Sequence, residues 1–175
     1  MPPNALPAAL ASGPLPEADG WSWLYRVFER AAPRGGRLRG AACGYYLPGP
    51  LERWRGGLVY RCLGVHLFGA LVPTGGVLVR RLTGARMAPY TLRGSSLGAA
   101  RDFWYRACVF ESLHLPFLLA LLALALQRAA GGRLDLALED TAINLLVNVY
   151  PILHHRRTRL RIVRLLERRA RRGAG

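Results

Sequence analysis

The chain has 175 residues, 51% of them hydrophobic, with a formal charge of +15, a length that fits one domain with enough apolar material beyond Trp21 for a core or a membrane-embedded unit. It contains no lysine, so all 25 basic residues are arginine; with the excess of Ala, Gly and Leu this reads as compositional drift, and total charge alone names no partner. No helix-turn-helix, zinc-finger or RNA-binding signature accompanies the arginines, which sets nucleic acid aside, and three widely spaced cysteines, Cys43, Cys62 and Cys108, exclude a disulfide framework or a zinc site and read as buried thiols.

Taken in order, residues 1–20 hold five prolines and no continuous apolar run, and read as a disordered start rather than a signal peptide. Trp21, Leu24, Val27, Phe28 and Ala31 then follow helical spacing, with Arg26, Glu29 and Arg30 opposite, predicting a short amphipathic helix, either interfacial or packed on a soluble core. A Gly/Arg-rich linker runs from Pro33 to Gly44. Leu51 to Pro73 is apolar but interrupted by Arg61 and His66, too broken to span a bilayer, and predicts elements lying in the interface or on the protein. His66 reads as structural rather than catalytic. The turn signal Pro73-Thr74-Gly75-Gly76, the β-branched Val77 and Val79, and a glycine-rich loop over 80–100 complete an irregular middle region, 21–100.

The last unit, 101–175, carries the strongest signal. Ala107 to Gln127, bracketed by Arg106 and Arg128, is long enough to cross a bilayer, with Pro116 expected to kink it. After a short connection, Leu136 to Leu153 forms a second apolar run ending at Pro151 and His154-His155-Arg156-Arg157. So short a link forces an antiparallel hairpin with its tip near Gly131-Gly132. Glu139 and Asp140 near the start of the second run leave a full span and a re-entrant dip both open. Nine arginines between Arg156 and Arg172, with Arg101 and Arg106, place both open ends on the cytoplasmic face of a cell membrane. Beyond Thr158, Leu160, Val163, Leu166 and Ala170 oppose arginines, predicting a basic amphipathic helix on the headgroups. The fold expected is mainly α: a membrane-associated helical hairpin with flanking amphipathic helices.

Polar groups inside such a hairpin are expensive unless they satisfy one another or do chemistry. Glu111 and His114 are three apart on one arm; Asn144 and Asn148 are four apart on the other, and counting from the tip puts His114 level with about Asn148. An imidazole beside a carboxylate suits proton or acyl transfer, and an asparagine amide can donate to an oxyanion. The alternative is a polar clamp tying two membrane helices together. Cys108 as a nucleophile for His114 is disfavoured, since six helical residues set the two about 120° apart. A metal site is not expected, because His154 and His155 sit in an arginine run that repels cations.

The order Glu111-Ser112-Leu113-His114, an apolar run, Asn144-Leu145-Leu146-Val147-Asn148-Val149-Tyr150-Pro151 and a basic tail resembles the glycosyl-4,4'-diaponeurosporenoate acyltransferases. The middle agrees, with Glu52, Gly57, Tyr60, Leu63-Gly64-Val65, Phe68, Leu71, Pro73 and Gly75 similar to that family's pattern. It departs in lacking a strongly hydrophobic N-terminal helix and in reading Pro151-Ile152-Leu153-His154-His155-Arg156-Arg157 where the family's tail is longer. The resemblance covers about Leu51 to Arg169 and implies a membrane-associated enzyme that esterifies a sugar hydroxyl of a glycosylated carotenoid carboxylate, or a similar glycolipid, with a fatty acyl chain.

On that reading His114 is the general base and Glu111 its orienting carboxylate. Asn144 and Asn148 bind substrate or oxyanion, and Arg156, Arg157 and Arg159 dock the donor, a thioester of coenzyme A or of a carrier protein. No cofactor is expected; the partners are the lipid membrane, the acyl donor and the glycosylated acceptor. The rival is a noncatalytic membrane protein that scaffolds a pigment or lipid assembly.

Overall fold

A computed structural model describes residues 45–71 and 97–172. The expected N-terminal tail, Trp21 helix, linker and Pro73 turn lie outside the described residues, as does the 80–100 loop up to 96. Every regular element among the described residues is helical. Three short helices come first: α1 (Pro50–Arg53), α2 (Leu58–Cys62) and α3 (Val65–Leu71), with a 3-10 turn at Trp54–Gly56 between the first two. The long helix α4 (Leu97–Ala130) follows. It returns as α5 (Leu134–Asn144), a π-turn (Leu145–Val149) and α6 (Tyr150–Arg172), which run on without a break.

The hairpin forms because its tip is built to stop one helix and start another. Gly132 adopts φ 76°, open only to glycine at low cost. Its N–H bonds to the Ala129 carbonyl at 3.0 Å while Arg133 N–H reaches Arg128 O at 2.9 Å, the paired bonds of a Schellman ending. Just inside the tip, Arg128 pairs with Asp140 at 3.0 Å and leaves Asp140 buried, which ties the arms in register.

Two expectations are corrected along the arms. Helix α4 starts at Leu97, so residues 97–100 are helix rather than loop, and Pro116 lies inside it. The second arm does not stop at Pro151. Tyr150 N–H bonds back five residues to Leu145 O, so the chain makes a π-turn just before the proline. That wider turn is where a residue without an N–H is accommodated, and the helix continues as α6.

Continuation gives the basic tail a different neighbour. The face carrying Leu160, Val163 and Leu166 has the predicted periodicity, but Val163 and Leu166 pack with Ile162 on Ala100, Trp104 and Cys108 of α4, and Leu160 packs on the short helices. Protein, not headgroup, covers it. The short helices close the other side, where Tyr60, Val65 and Leu160 form a second cluster and Phe68 stacks on Tyr150 at 5.2 Å between ring centres. Gly57 makes that approach possible: its φ is 81°, and a Cβ there would lie 2.9 Å from Leu160 Cδ2. Of the cysteines expected to be buried, Cys108 is and Cys62 is exposed; His66 is exposed as well.

The result is a molecule with two zones. From Leu113 to Val147 large apolar side chains face outward, among them Phe117 at 65% exposure, Leu126 at 62% and Leu146 at 59%. Both arms are long and apolar enough to cross a membrane, and a belt of outward leucine, isoleucine and phenylalanine is what lipid contact requires. Outside that stretch, over 100–111 and 148–166, the arms carry the buried core and receive the short helices.

Candidate active site

The polar residues gather at the junction of the two zones. His114, half-buried on α4, has Nδ1 3.3 Å from Asn148 Oδ1 on the π-turn, so residues equidistant from the tip do meet. Asn148 Nδ2 donates to Asn144 Oδ1 at 2.9 Å, and Asn144 Nδ2 donates to the Leu118 carbonyl at 3.0 Å.

This chain of three bonds has a direction. A peptide carbonyl only accepts, so Asn144 must turn its nitrogen to Leu118 and its oxygen to Asn148; Asn148 must then turn its own oxygen to the imidazole. His114 Nδ1 is therefore the protonated nitrogen, and in the neutral ring the lone pair stands on Nε2. Two buried amides, at 7% and 1% exposure, fix the tautomer of one histidine.

Glu111 faces elsewhere. Its fully buried carboxylate takes Arg156 Nη1 at 3.1 Å and forms an ion pair with Arg159, itself 1% exposed. Among the described residues it makes no hydrogen bond to His114, so the orienting partner of the imidazole is Asn148. Arg156 extends the network to the short helices. Its Nε and Nη2 grip Glu52 at 2.8 and 3.1 Å, and Nη1 also reaches the Tyr45 carbonyl at 3.3 Å. Such a fork on a carboxylate is what arginine does and lysine cannot.

Glu52 is the hub of this docking. It accepts from the Tyr60 hydroxyl and, at 2.6 Å, from Gly49 N–H at the start of α1. Burial alone would raise its carboxyl, but the bonds from Arg156, Tyr60 and Gly49 outweigh that and hold it below the usual carboxylate range. Burial and the neighbouring Glu52 charge push the Tyr60 phenol up. The Tyr45 phenol rises to about 12, through burial and then the Glu111 charge.

Of the three arginines expected to dock a donor, Arg159 is sealed inside, between Glu111 and the faces of Tyr46 and Trp104 at 5.3 and 5.9 Å. Arg156 is spent on the two glutamates. Arg157 has no acidic partner among the described residues. The structure adds groups that sequence reasoning did not single out as site residues. Tyr46 shares a hydrogen bond with Ser112, which also donates to the Cys108 carbonyl at 2.8 Å. His155, 3% exposed, stacks on Phe110 and on His114, its ring centre 5.8 and 6.3 Å from theirs with the planes inclined by 13° and 30°. Glu52 and Tyr60 stood in the family pattern without a role; Tyr45 and Tyr46 lie in no periodic segment and carried no signal.

The family model for glycosyl-4,4'-diaponeurosporenoate acyltransferase matches residues 44–168, from the residue before Tyr45 almost to the end of α6. The chain belongs to this family. No curated protein and no solved structure matches it. As a member of an acyltransferase family of carotenoid biosynthesis, the molecule has all the elements just described inside the matched region apart from the last turn of α6. The histidine–amide chain and the Glu111–Arg156–Glu52 network both belong to the family segment.

Proposed function

We propose that the protein transfers a fatty acyl group from a thioester donor to a sugar hydroxyl of a glycosylated carotenoid carboxylate or similar glycolipid, at the cytoplasmic face of the cell membrane. One observation carries this reading: the amide chain holds Nδ1–H of a half-buried histidine, so that in the neutral ring Nε2 is the basic nitrogen, where the outward apolar belt meets the packed base. There a lipid-borne sugar at the membrane surface comes level with a base.

Nε2 of His114 takes the proton from the sugar hydroxyl as its oxygen attacks the thioester carbonyl. The tetrahedral adduct collapses, the C–S bond breaks, and the imidazolium returns the proton to the departing thiolate; ester and thiol are the products. Asn148 and Asn144 act as positioning residues, holding the ring and accepting the rise in charge on Nδ1–H. Glu111 acts at one remove by fixing Arg156 and Arg159, which lock the second arm, and so Asn148, against the first. Arg157 is the remaining docking charge for the donor's anionic part.

The test is His114→Gln in a producing strain. A glutamine keeps a hydrogen bond to Asn148 but offers no base, so acylated glycolipid should fall about 100- to 10,000-fold while membrane abundance stays near wild type. Falling abundance with unchanged product per molecule would make His114 a helix clamp and end the catalytic reading.

A further inference from the structure

Helix α6 carries a feature of which the proposed site uses only the first residue, Arg157. Its buried side is Ile152, His155, Arg159, Leu160, Ile162, Val163 and Leu166, and the side turned away holds Arg157, Arg161, Arg164, Arg168 and Arg172. The spacings of four, three, four and four keep all five guanidinium groups on one stripe. Compositional drift scatters arginine; it does not hold it to a helical face. Several other arginines find carboxylates: Arg53 has Glu167, Arg128 has Asp140, and Arg156 and Arg159 share Glu111. Among the described residues Arg157, Arg161, Arg168 and Arg172 have no acidic partner, and Arg161, Arg168 and Arg172 are exposed.

Anionic lipid is the first occupant to consider, and the continuous helix argues against it. On the two arms the outward apolar belt ends at Val147, and Arg161 lies 13 residues beyond Asn148, about 20 Å along the axis. Even tilted by 40° it would stand about 15 Å past the hydrocarbon edge, beyond a headgroup band of roughly 5–8 Å. Arg168 and Arg172 lie further out still. The stripe from Arg157 to Arg172 covers about 22 Å, the length of an acidic helix and longer than the compact phosphates of a coenzyme.

The rim of the stripe also suits a protein. Arg164 donates to the Arg53 carbonyl at 2.9 Å and joins the stripe to the short helices, where Leu51 and Trp54 are 68% and 53% exposed. Arg55 lies over the Trp54 ring at 5.2 Å, and Leu165 is exposed between Arg161 and Arg168. Apolar side chains interleaved with arginine are what protein contacts use and free phosphates do not.

We infer that this face docks the acidic helix of a small carrier protein that bears the acyl group as a thioester. The inference rests on the acyl-transfer reading and names its donor class. Charge brings the carrier to the stripe, and the tethered acyl group passes from the outer end of α6 toward His114 at the membrane edge. Electrostatic steering of this kind raises association rates and fades with salt.

The test uses the full chain in nanodiscs, with a fatty acyl group on a bacterial acyl carrier protein and the same group on coenzyme A. In R161E/R168E/R172E, binding of the acyl carrier protein should weaken about 10- to 100-fold, with the salt dependence of wild-type binding largely lost. Turnover from the coenzyme A thioester and binding to anionic vesicles should stay within twofold. The milder R161Q/R168Q/R172Q should fall between, with helicity checked for each variant. Carrier binding that is absent in wild type, or untouched by the reversals, overturns the inference; so does loss of vesicle binding, which would return the stripe to lipid. Binding is read without turnover, so the two readings fail separately: capture of the carrier with no sugar acylated sinks the transfer chemistry, and acylation from coenzyme A with no capture sinks the docking.

Discussion

The tip and the base of this molecule are built from the same two helices by different forces. Between Leu113 and Val147 the arms touch mainly each other; their outer sides are apolar and uncovered, and few polar contacts, Arg128 with Asp140 above all, tie them together. Beyond His114 and Asn148 the same helices bury tryptophan, valine and isoleucine and are strapped by a network of two glutamates and two arginines. The difference fits a chain whose apolar arms suit lipid while its base packs on itself. Arms in lipid gain no hydrophobic drive from packing helix on helix, so their register comes from the turn, the Arg128–Asp140 pair and the Asn144 bond to the Leu118 carbonyl, whereas the base uses burial and a protein-enclosed ion network.

The largest effect expected from breaking that contrast is at Glu111. Glu111→Ala leaves Arg159 buried with no counter-charge, and truncating one partner of such a pair costs about 3–5 kcal/mol. The protein should lose most of its folded population in membranes, read by abundance and protease resistance. A variant as stable as wild type would show that the network does not hold the base together.

Asn148→Leu comes next. It removes the acceptor that fixes His114 without removing the base, so activity should drop about 10- to 100-fold, less than for His114→Gln. The pH profile should also move, because the ring is free to change tautomer and charge; a lower rate with an unmoved profile would make Asn148 a packing residue only.

A pair of glycines sharpens the comparison. Gly57→Ala and Gly132→Ala both force a left-handed backbone on alanine, but a Cβ at Gly57 meets Leu160 Cδ2 while one at Gly132 meets nothing within 4 Å. We expect about 2–3 kcal/mol of destabilisation in the base and about 1 kcal/mol at the tip. Equal losses would mean that the short helices do not dock as tightly as Gly57 allows.

The smallest effect is on pH. Glu52 is held below its ordinary value of 4.5, so its contribution to docking is complete above that value and is lost as pH falls through the folded-state value. Tyr60 is raised, so its contribution is complete below its ordinary 10.0 and is lost as pH climbs past it. Protection of Tyr60 against hydrogen exchange should therefore be greatest between about pH 5 and 10, and Glu52→Gln should flatten the acid limb.

Much of the tip was legible in the sequence. Two apolar runs with a two-glycine link leave one topology, and counting back from the link put His114 opposite Asn148. Less of the base was. Glu111 and His114 share a face, but facing the same way does not make two side chains touch, and Arg156 and Arg159, more than forty residues downstream, compete better for a buried carboxylate than an imidazole does. Pro151 reads locally as a helix end; only the preceding π-turn lets the helix continue. The amphipathic pattern of α6 was visible, but periodicity says which side is covered and not by what, and a groove of Trp104 and Cys108 satisfies it as well as lipid. The roles of Glu52 and Tyr60 depend on a fold-back from another segment, which local spacing does not encode.

The link between the arms has a consequence for how the enzyme can vary. With Gly132 closing the helix and Arg133 opening the next, there is no slack to absorb a slip, and each residue added there would rotate the second arm by about 100° relative to the first. This short connection thus acts as a ruler for chemistry at the far end of the arms: spacing errors made there arrive at the histidine undamped.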